Sequence, residues 1–241
     1  MPPLDYLNRL RVTEIERVIS LFPNGAHILE IGAGTGQQAR ELNRRGFDVT
    51  AVEIASSNYA ADRVFPIIDY DGTHLPFDNA SFDVVFSSNA LEHVRDLPAT
   101  HAEICRVLKP NGICIHILPT HGWRFWSMLT SFPGAAVMVF RAVRGRAPWR
   151  DAIRHAGAAL IQPAHGERGH AFTELWTFRP AWWRHHFADN GFVVVRDEPM
   201  GLFYTGDLLF GDRLSFSTRA RLANWLGSAC HVFVLCRRSA L

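Results

Sequence analysis

Two sets of residues in this chain could do chemistry. The first is the run ILEIGAGTG at 28–36, where Glu30 is followed by Gly32, Gly34 and Gly36 at every second position. Glycine weakens strand and helix interiors, so three in alternation mark a backbone that turns sharply or is closely approached. A carboxylate two residues before the first glycine suits a ligand with a positive amino group and repels a phosphate. The second set is histidine: His93 beside Glu92, then His121, then His165 and His170 with Glu167 and Glu174 close by. Imidazole can take a proton near neutral pH, as deprotonation of a hydroxyl acceptor requires. His165, Glu167, His170 and Glu174 could meet on one side of a loop or short helix. No second ligand cluster supports them, so no metal is expected.

The elements that must position these groups follow from periodicity. Apolar residues at Leu7, Leu10, Ile15, Val18, Ile19 and Phe22 have helical spacing, stopped by Pro23-Asn24-Gly25. Short apolar runs at Ala26–Ile31, Val49–Ile54, Val64–Tyr70, Phe82–Ser87 and Ile113–Leu118 predict strands, with helices at Gly36–Arg45 and Leu97–Leu108 between them. Such alternation predicts a doubly wound α/β fold whose mostly parallel sheet is covered on both faces. The glycine run then lies at the carboxyl end of the first strand, where open parallel sheets bind ligands. Its pattern, E-x-G-x-G-x-G, differs from the G-x-G-x-x-G of dinucleotide sites.

Composition narrows the classes. At 241 residues, with 48% apolar and 20% charged residues, the chain can build one large core, with or without an insertion. The formal charge is +2, and Lys109 is the sole lysine, a bias we assign to coding. Basic residues form a single local cluster, which argues against a nucleic-acid partner. Cys105, Cys114, Cys230 and Cys236 show no CxxC pairing and read as reduced structural thiols. The N-terminal MPPLDYLNRLRVTEIERV carries acids and no apolar h-region, so a cytoplasmic location is expected.

Four motifs together resemble the class I S-adenosylmethionine-dependent methyltransferases of the bacterial LPF-signature (methyltransferase type 11-like) group. They are ILEIGAGTG (28–36), VEI (52–54), DGTHLPF (71–77), and SFDVVFSSNALEHVRD (81–96) followed by EICRVLKPNG (103–112). The resemblance covers residues 26–118. It implies a Rossmann-like seven-stranded sheet with the last strand antiparallel, S-adenosylmethionine as cofactor, and in-line methyl transfer. Cofactor contacts are then expected from Glu30, Gly32, Ala33, Gly34, Thr35 and Gly36 in the loop, with Glu30 and the Gly32 carbonyl facing the methionyl ammonium. Glu53 and Ile54 end the second strand, 21 residues past Gly32, where a carboxylate would take the ribose hydroxyls. Asp71 and Gly72 would read the adenine, with Asp69 as the competitor. Ser88, Asn89 and Ala90 end the fourth strand beneath the cofactor. His93 falls at the rim near the methyl or packs as a helix-start residue; its position alone favours neither.

After Leu118 the shared pattern stops. The resulting division is a cofactor core at 1–118, an acceptor-binding insertion or lid at 119–190, and C-terminal strands at 191–241. Gly191–Arg196 and 231–238 supply the sixth and seventh strands, preceded by a helix begun after Pro180 with Trp182, Trp183 and Phe187 inward. Long connections are usually functional, so the insertion should choose the acceptor. Its first part, 125–140, has no charge, is interrupted by Pro133-Gly134, and is followed by Arg141, Arg144, Arg146, Arg150 and Arg154. It reads as a lid, or as an interfacial helix at the cytoplasmic face of an anionic membrane. Trp123, Phe125, Trp126, Trp149, Phe172 and Trp176 could stack on a sugar or lipid. FTELW and the paired tryptophans carry a faint likeness to polysaccharide-cluster methyltransferases. The expected acceptor is thus a hydroxyl of a glycan or related small molecule; a lipid or quinone-type acceptor and a non-catalytic cofactor-binding module are the alternatives. His121, His165, His170 and His93 are the candidate bases.

Overall fold

Neighbouring residues of the central strands are buried on opposite sides of the sheet. Ile28, Val84 and Phe86 enter one apolar cluster with Ile15, Val18 and Leu42, whereas Leu29, Val85 and Leu118 enter another with Ile104, Trp183 and Phe187. The pleat's period of two thus feeds two cores. The computed structural model describes residues 4–205 and 213–238. Residues 1–3 of the expected core, and 206–212 and 239–241 of the expected C-terminal segment, lie outside the described residues.

The strands are β1 (His27–Ile31), β2 (Asp48–Ile54), β3 (Ile68–Tyr70), β4 (Phe82–Ser88), β5 (Leu108–Pro119), β6 (Phe192–Pro199) and β7 (Cys230–Arg237). They form one seven-stranded sheet in the order β3-β2-β1-β4-β5-β7-β6. Only β7 runs antiparallel to its neighbours β5 and β6. The order reverses between β1 and β4, so the end of β1 faces the switch point that the glycine run requires.

The helices are α1 (Leu4–Val18), α2 (Gln37–Arg44), α3 (Leu97–Val107), α4 (His121–Val143), α5 (Trp149–Ile161), α6 (Ala171–Thr177), α7 (Pro180–Asp189) and α8 (Phe216–Leu226). α7 starts on Pro180, whose missing N–H suits a first helical turn, and buries Trp183 and Phe187 against the sheet while Trp182 stays half-buried. It therefore covers the sheet, and α4–α6 are the additional part.

Four expectations need correction. β3 is three residues long, not Val64–Tyr70: Pro66 cannot donate to a ladder, and the Val64 N–H donates to the Thr35 carbonyl (2.8 Å), tying that stretch to the glycine loop. β5 starts at Leu108 and β6 continues to Pro199, beyond the apolar runs that betrayed them. Pro133 does not interrupt its segment, since α4 runs unbroken through it for 23 residues. Thr130 Oγ1 donates to the Trp126 carbonyl (2.7 Å) and Ser131 Oγ to that of Met128 (2.6 Å), supplying side-chain bonds in the turn the proline perturbs.

Candidate active site

The three loop glycines all have positive φ, at 74°, 58° and 79°, a region costly to residues with a Cβ. Their surroundings differ. A Cβ on Gly32 would sit 2.4 Å from that of Ala90, and one on Gly36 would sit 2.8 Å from that of Phe65. Those two glycines let the loop pack on the protein itself. At Gly34 the nearest atom is in the Tyr59 ring, at 3.5 Å, so this is the glycine with room for a ligand.

Acids surround that opening. Glu30 is buried on β1, and its Oε2 has no hydrogen-bond partner. Burial pushes its carboxyl up to about 8, against the pull of Arg11. Glu53, at the end of β2, accepts from the N–H of Gly34 (2.7 Å) through Oε2 and from its neighbour Ile54 (2.9 Å) through Oε1. A carboxylate has about four acceptor positions, so two stay free for a pair of hydroxyls. Gly72 lies against Ile54. Asp71 is exposed and folds its own loop, its Oδ1 accepting from the N–H groups of Thr73 and His74 at 2.7 Å. These bonds hold its carboxyl down at about 2. The competitor, Asp69, is engaged by Arg63 at 2.5 Å.

Beneath the opening, Ser88 Oγ accepts from Arg11 Nη1 (3.2 Å) and Asn89 Nδ2 (3.1 Å). Arg11 in turn contacts buried Glu14 at 2.7 Å, to which Gln38 Nε2 (3.2 Å) and the Tyr204 hydroxyl (3.0 Å) also donate. Sequence reading missed this network. Its signal was Glu14 itself, a charge four residues from Leu10 on the buried face of α1.

The second chemical group forms where the 163–170 loop crosses the end of β4. Glu92 is fully buried, and neither carboxylate oxygen has a hydrogen-bond partner. Its Oε1 lies 3.8 Å from His93 Nε2 and 3.9 Å from His165 Nε2, and the two imidazoles meet edge to face at 4.8 Å. Trp123 closes the other side of His165, with ring centroids 4.6 Å apart. Burial pushes Glu92 up to about 8. Burial, reinforced by His93 and Arg124, holds His165 down at about 4, and burial also lowers His93. At neutral pH both imidazoles are uncharged and have a lone pair to offer.

A buried ion pair holds the loop in place. Arg124 Nε of α4 meets Glu174 Oε2 of α6 at 2.8 Å, and Glu174 Oε1 accepts from the N–H groups of His165 (2.6 Å) and Gly166 (2.7 Å). Arg168 reaches the carbonyls of Val94 (2.5 Å) and Leu91 (3.3 Å), and Glu167 pairs with Arg95 at 3.1 Å. Of the four residues grouped by spacing at 165–174, only His165 thus reaches the cluster. His170 is exposed at the start of α6 beside Phe172, and His121 is exposed with its N–H on the Phe178 carbonyl (3.1 Å). Glu92, His93 and His165 place one ligand-type atom each within 4.8 Å of one another, the one such group among the described residues.

An open sheet with a single antiparallel strand, a glycine turn at the switch point and an acid ending the second strand together define the class I methyltransferase fold. Residues 29–116 match the methyltransferase domain family of type 11. Over 188 residues the chain is 26% identical to a ubiquinone biosynthesis O-methyltransferase of Rhodopseudomonas palustris (strain HaA2), covering 69% of this chain and 71% of that protein. A malonyl-[acyl-carrier protein] O-methyltransferase of Pectobacterium atrosepticum is 30% identical over 118 residues, 45% of this chain and 46% of its own. The fold superimposes on that of an S-adenosylmethionine-dependent methyltransferase from Aquifex aeolicus with a TM-score of 0.55 at 14% identity, covering 94% and 91% of the two chains. The chain is an S-adenosylmethionine-dependent methyltransferase whose residues 29–116 match the type 11 methyltransferase domain. The residues at the opening fit this cofactor: an unpartnered buried carboxylate at Glu30 for its ammonium, and room for its approach at Gly34.

Proposed function

We propose that the enzyme methylates a hydroxyl of an acceptor with a large apolar part, of the quinone or lipid kind. The observation that carries this reading is the Glu92–His93–His165 cluster, roofed by an insertion whose aromatics Phe125, Trp149, Phe172 and Trp176 are exposed. Two similar proteins are by name O-methyltransferases, one of ubiquinone biosynthesis and one of a malonyl carrier protein. Bound S-adenosylmethionine supplies an electrophilic methyl group on a sulfonium. Glu30, the 32–36 loop, Glu53, Ile54, Asp71, Gly72 and Ser88–Ala90 hold it, and residues 119–190 hold the acceptor. Alignment of two reactants can contribute about 7–11 kcal/mol. His165 or His93 takes the hydroxyl proton at Nε2, beside a Glu92 carboxyl that burial keeps largely protonated at neutral pH and that can lose its proton once an imidazolium forms next to it. General-base assistance is worth roughly 10²–10⁴-fold.

A methyl-transfer screen with labelled cofactor tests this, comparing prenylated catechols, free phenols and nucleotide sugars. The reading expects turnover on the prenylated phenols, and a His165→Ala variant that loses turnover but binds the cofactor normally. Turnover on sugars alone would return the acceptor to the glycan class. Activity abolished by a chelator and restored by zinc would make the Glu92 group a metal site rather than a base.

A further inference from the structure

The surface helices of a globular protein turn an apolar stripe inward. α4 turns one outward as well. Phe125, Leu129, Phe132, Phe140 and Val143 recur at helical spacing and are each at least half exposed, Val143 to 67%. Ala136 fills the gap in the row and is exposed too. The stripe spans 19 residues, about 27 Å from first to last at about 1.5 Å of rise per residue. The buried face of α4 is separate, made by Ala135, Met138 and Ala142. α5, packed on α4, repeats the arrangement with Trp149, Ile153 and Leu160, the last 79% exposed. Isolated exposed apolar residues mean little, but contiguous rows of them mark interaction surfaces.

Charge identifies the occupant. Arg141, Arg144, Arg146, Arg150 and Arg154 crowd the turn between the two helices and the start of α5, and all are exposed. Arg144 lies over the Phe140 ring at 4.1 Å, and Arg154 approaches Asp151 at 3.5 Å. Asp151 is the sole acid between Thr120 and Gly166. A second copy docked on this face would set arginines against arginines. A surface of lipid phosphates would pair with them while the aromatics entered the acyl boundary. Among the described residues, no helix is long and apolar enough to cross a membrane.

We infer that the α4–α5 face docks on the surface of an anionic lipid bilayer. The apolar rows lie in the plane of the interface, to a depth of about 5–10 Å for helices of this type, and the arginines contact headgroup phosphates. Trp123 and Arg124, which touch and support the loop of His165, lie immediately before the stripe on the same helix. Docking therefore sets the catalytic cluster beside the acyl boundary, where an acceptor of the proposed kind would reside. The inference names the place where that acceptor is met. It is tested without any acceptor, so its failure and that of the proposed function are separate events.

The experiment is sedimentation of the full chain with vesicles of phosphatidylcholine alone, or mixed with phosphatidylglycerol, across a sodium chloride series. The expected result is binding to the mixed vesicles that weakens as salt rises. R141E/R144E/R146E should lower the partition coefficient at least about tenfold, since each arginine near an anionic surface adds affinity. F132E/F140E should abolish binding at every salt concentration. Both variants should bind S-adenosylmethionine with unchanged affinity by calorimetry, which shows that they are folded. Wild-type protein left in the supernatant at low salt overturns the inference. So does a wild-type dimer by sedimentation velocity that F132E/F140E converts to monomer, because the face then belongs to a second copy.

Discussion

The glycine-loop half and the α4–α6 half of this enzyme each carry a charged pair whose acid is buried, Arg11–Glu14 in one and Arg124–Glu174 in the other, but differ in where their large apolar groups face. Around the loop, apolar side chains point into two cores, and exposed polar groups such as Asp71 fold their own turns. In the insertion, a charged pair, Arg124–Glu174, is buried while phenylalanines and tryptophans face outward. Under the proposed function, the first half holds a ligand that carries charge of its own. The second, under the same proposal, meets something apolar that is not part of this chain. Buried ion pairs are poor sources of stability but strong fixers of geometry, and here one fixes where His165 stands.

The largest expected effect probes that contrast directly. Arg124→Leu leaves Glu174 buried without its counter-charge and should destabilise the protein by about 3–5 kcal/mol in denaturant titrations. If the halves are as separate as their organisation suggests, cofactor affinity should stay near wild type where the variant remains folded. A variant of unchanged stability would show that the pair does not hold the insertion together.

Within the loop, Gly32 and Gly34 should part company. Gly32→Ala adds overpacking of about 1–3 kcal/mol to its backbone strain, because the new methyl meets Ala90. Gly34→Ala carries only the strain of its φ, about 1–2 kcal/mol, yet should impair cofactor binding more than its stability loss suggests. Chemical denaturation and calorimetry on both variants decide this. Equal effects on the two readouts would remove Gly34 from the ligand's path.

Glu53→Ala should weaken S-adenosylmethionine binding by about 1.5–3 kcal/mol, the range for hydrogen bonds to a charged group. Acceptor KM should be nearly untouched. A change confined to acceptor KM would reassign this acid to the other half.

The smallest effects are protonic. Glu30 is held near 8, so it is mostly protonated in the free enzyme at pH 7. A cofactor ammonium beside it favours the carboxylate, so binding should release a fraction of a proton at pH 7. Calorimetry in buffers of different ionisation enthalpy measures that fraction. Glu92 supplies a second case, in stability. Its carboxyl is raised by burial to about 8, so its contribution is fully present below about 4.5 and is lost as pH rises through 8. The stability of Glu92→Gln relative to wild type should therefore increase between pH 5 and 8. A pH-independent difference would mean that Glu92 is not desolvated as its burial implies.

Local pattern carried the sheet a long way. Ile28–Gly36 announced both a strand and a turn, because strand period and glycine placement are properties of consecutive residues. The alternation of runs announced parallel strands around that turn, and the order in which they hydrogen-bond follows it. Pro66 could have warned that β3 would be short, and Pro133 warned of a break that α4 does not show. The histidines were legible as residue types only. Spacing grouped His165 with His170 and Glu174, whereas the fold sends His170 elsewhere, uses Glu174 against Arg124, and brings His165 to Glu92 from 73 positions away.

Two questions were decided by the tertiary structure alone. One is which members of an alternating or charged set meet, since partners distant in sequence are chosen by how loops cross the sheet. The other is which way an apolar helix faces. By itself the sequence determined that 125–140 is apolar and that arginines follow it. Hydrophobic spacing defines a stripe on a helix but carries no sign for inside or outside. On α4, Gly134, Ala135, Met138 and Ala142 fit against the protein, while Phe125, Leu129, Phe132 and Phe140 face the surroundings.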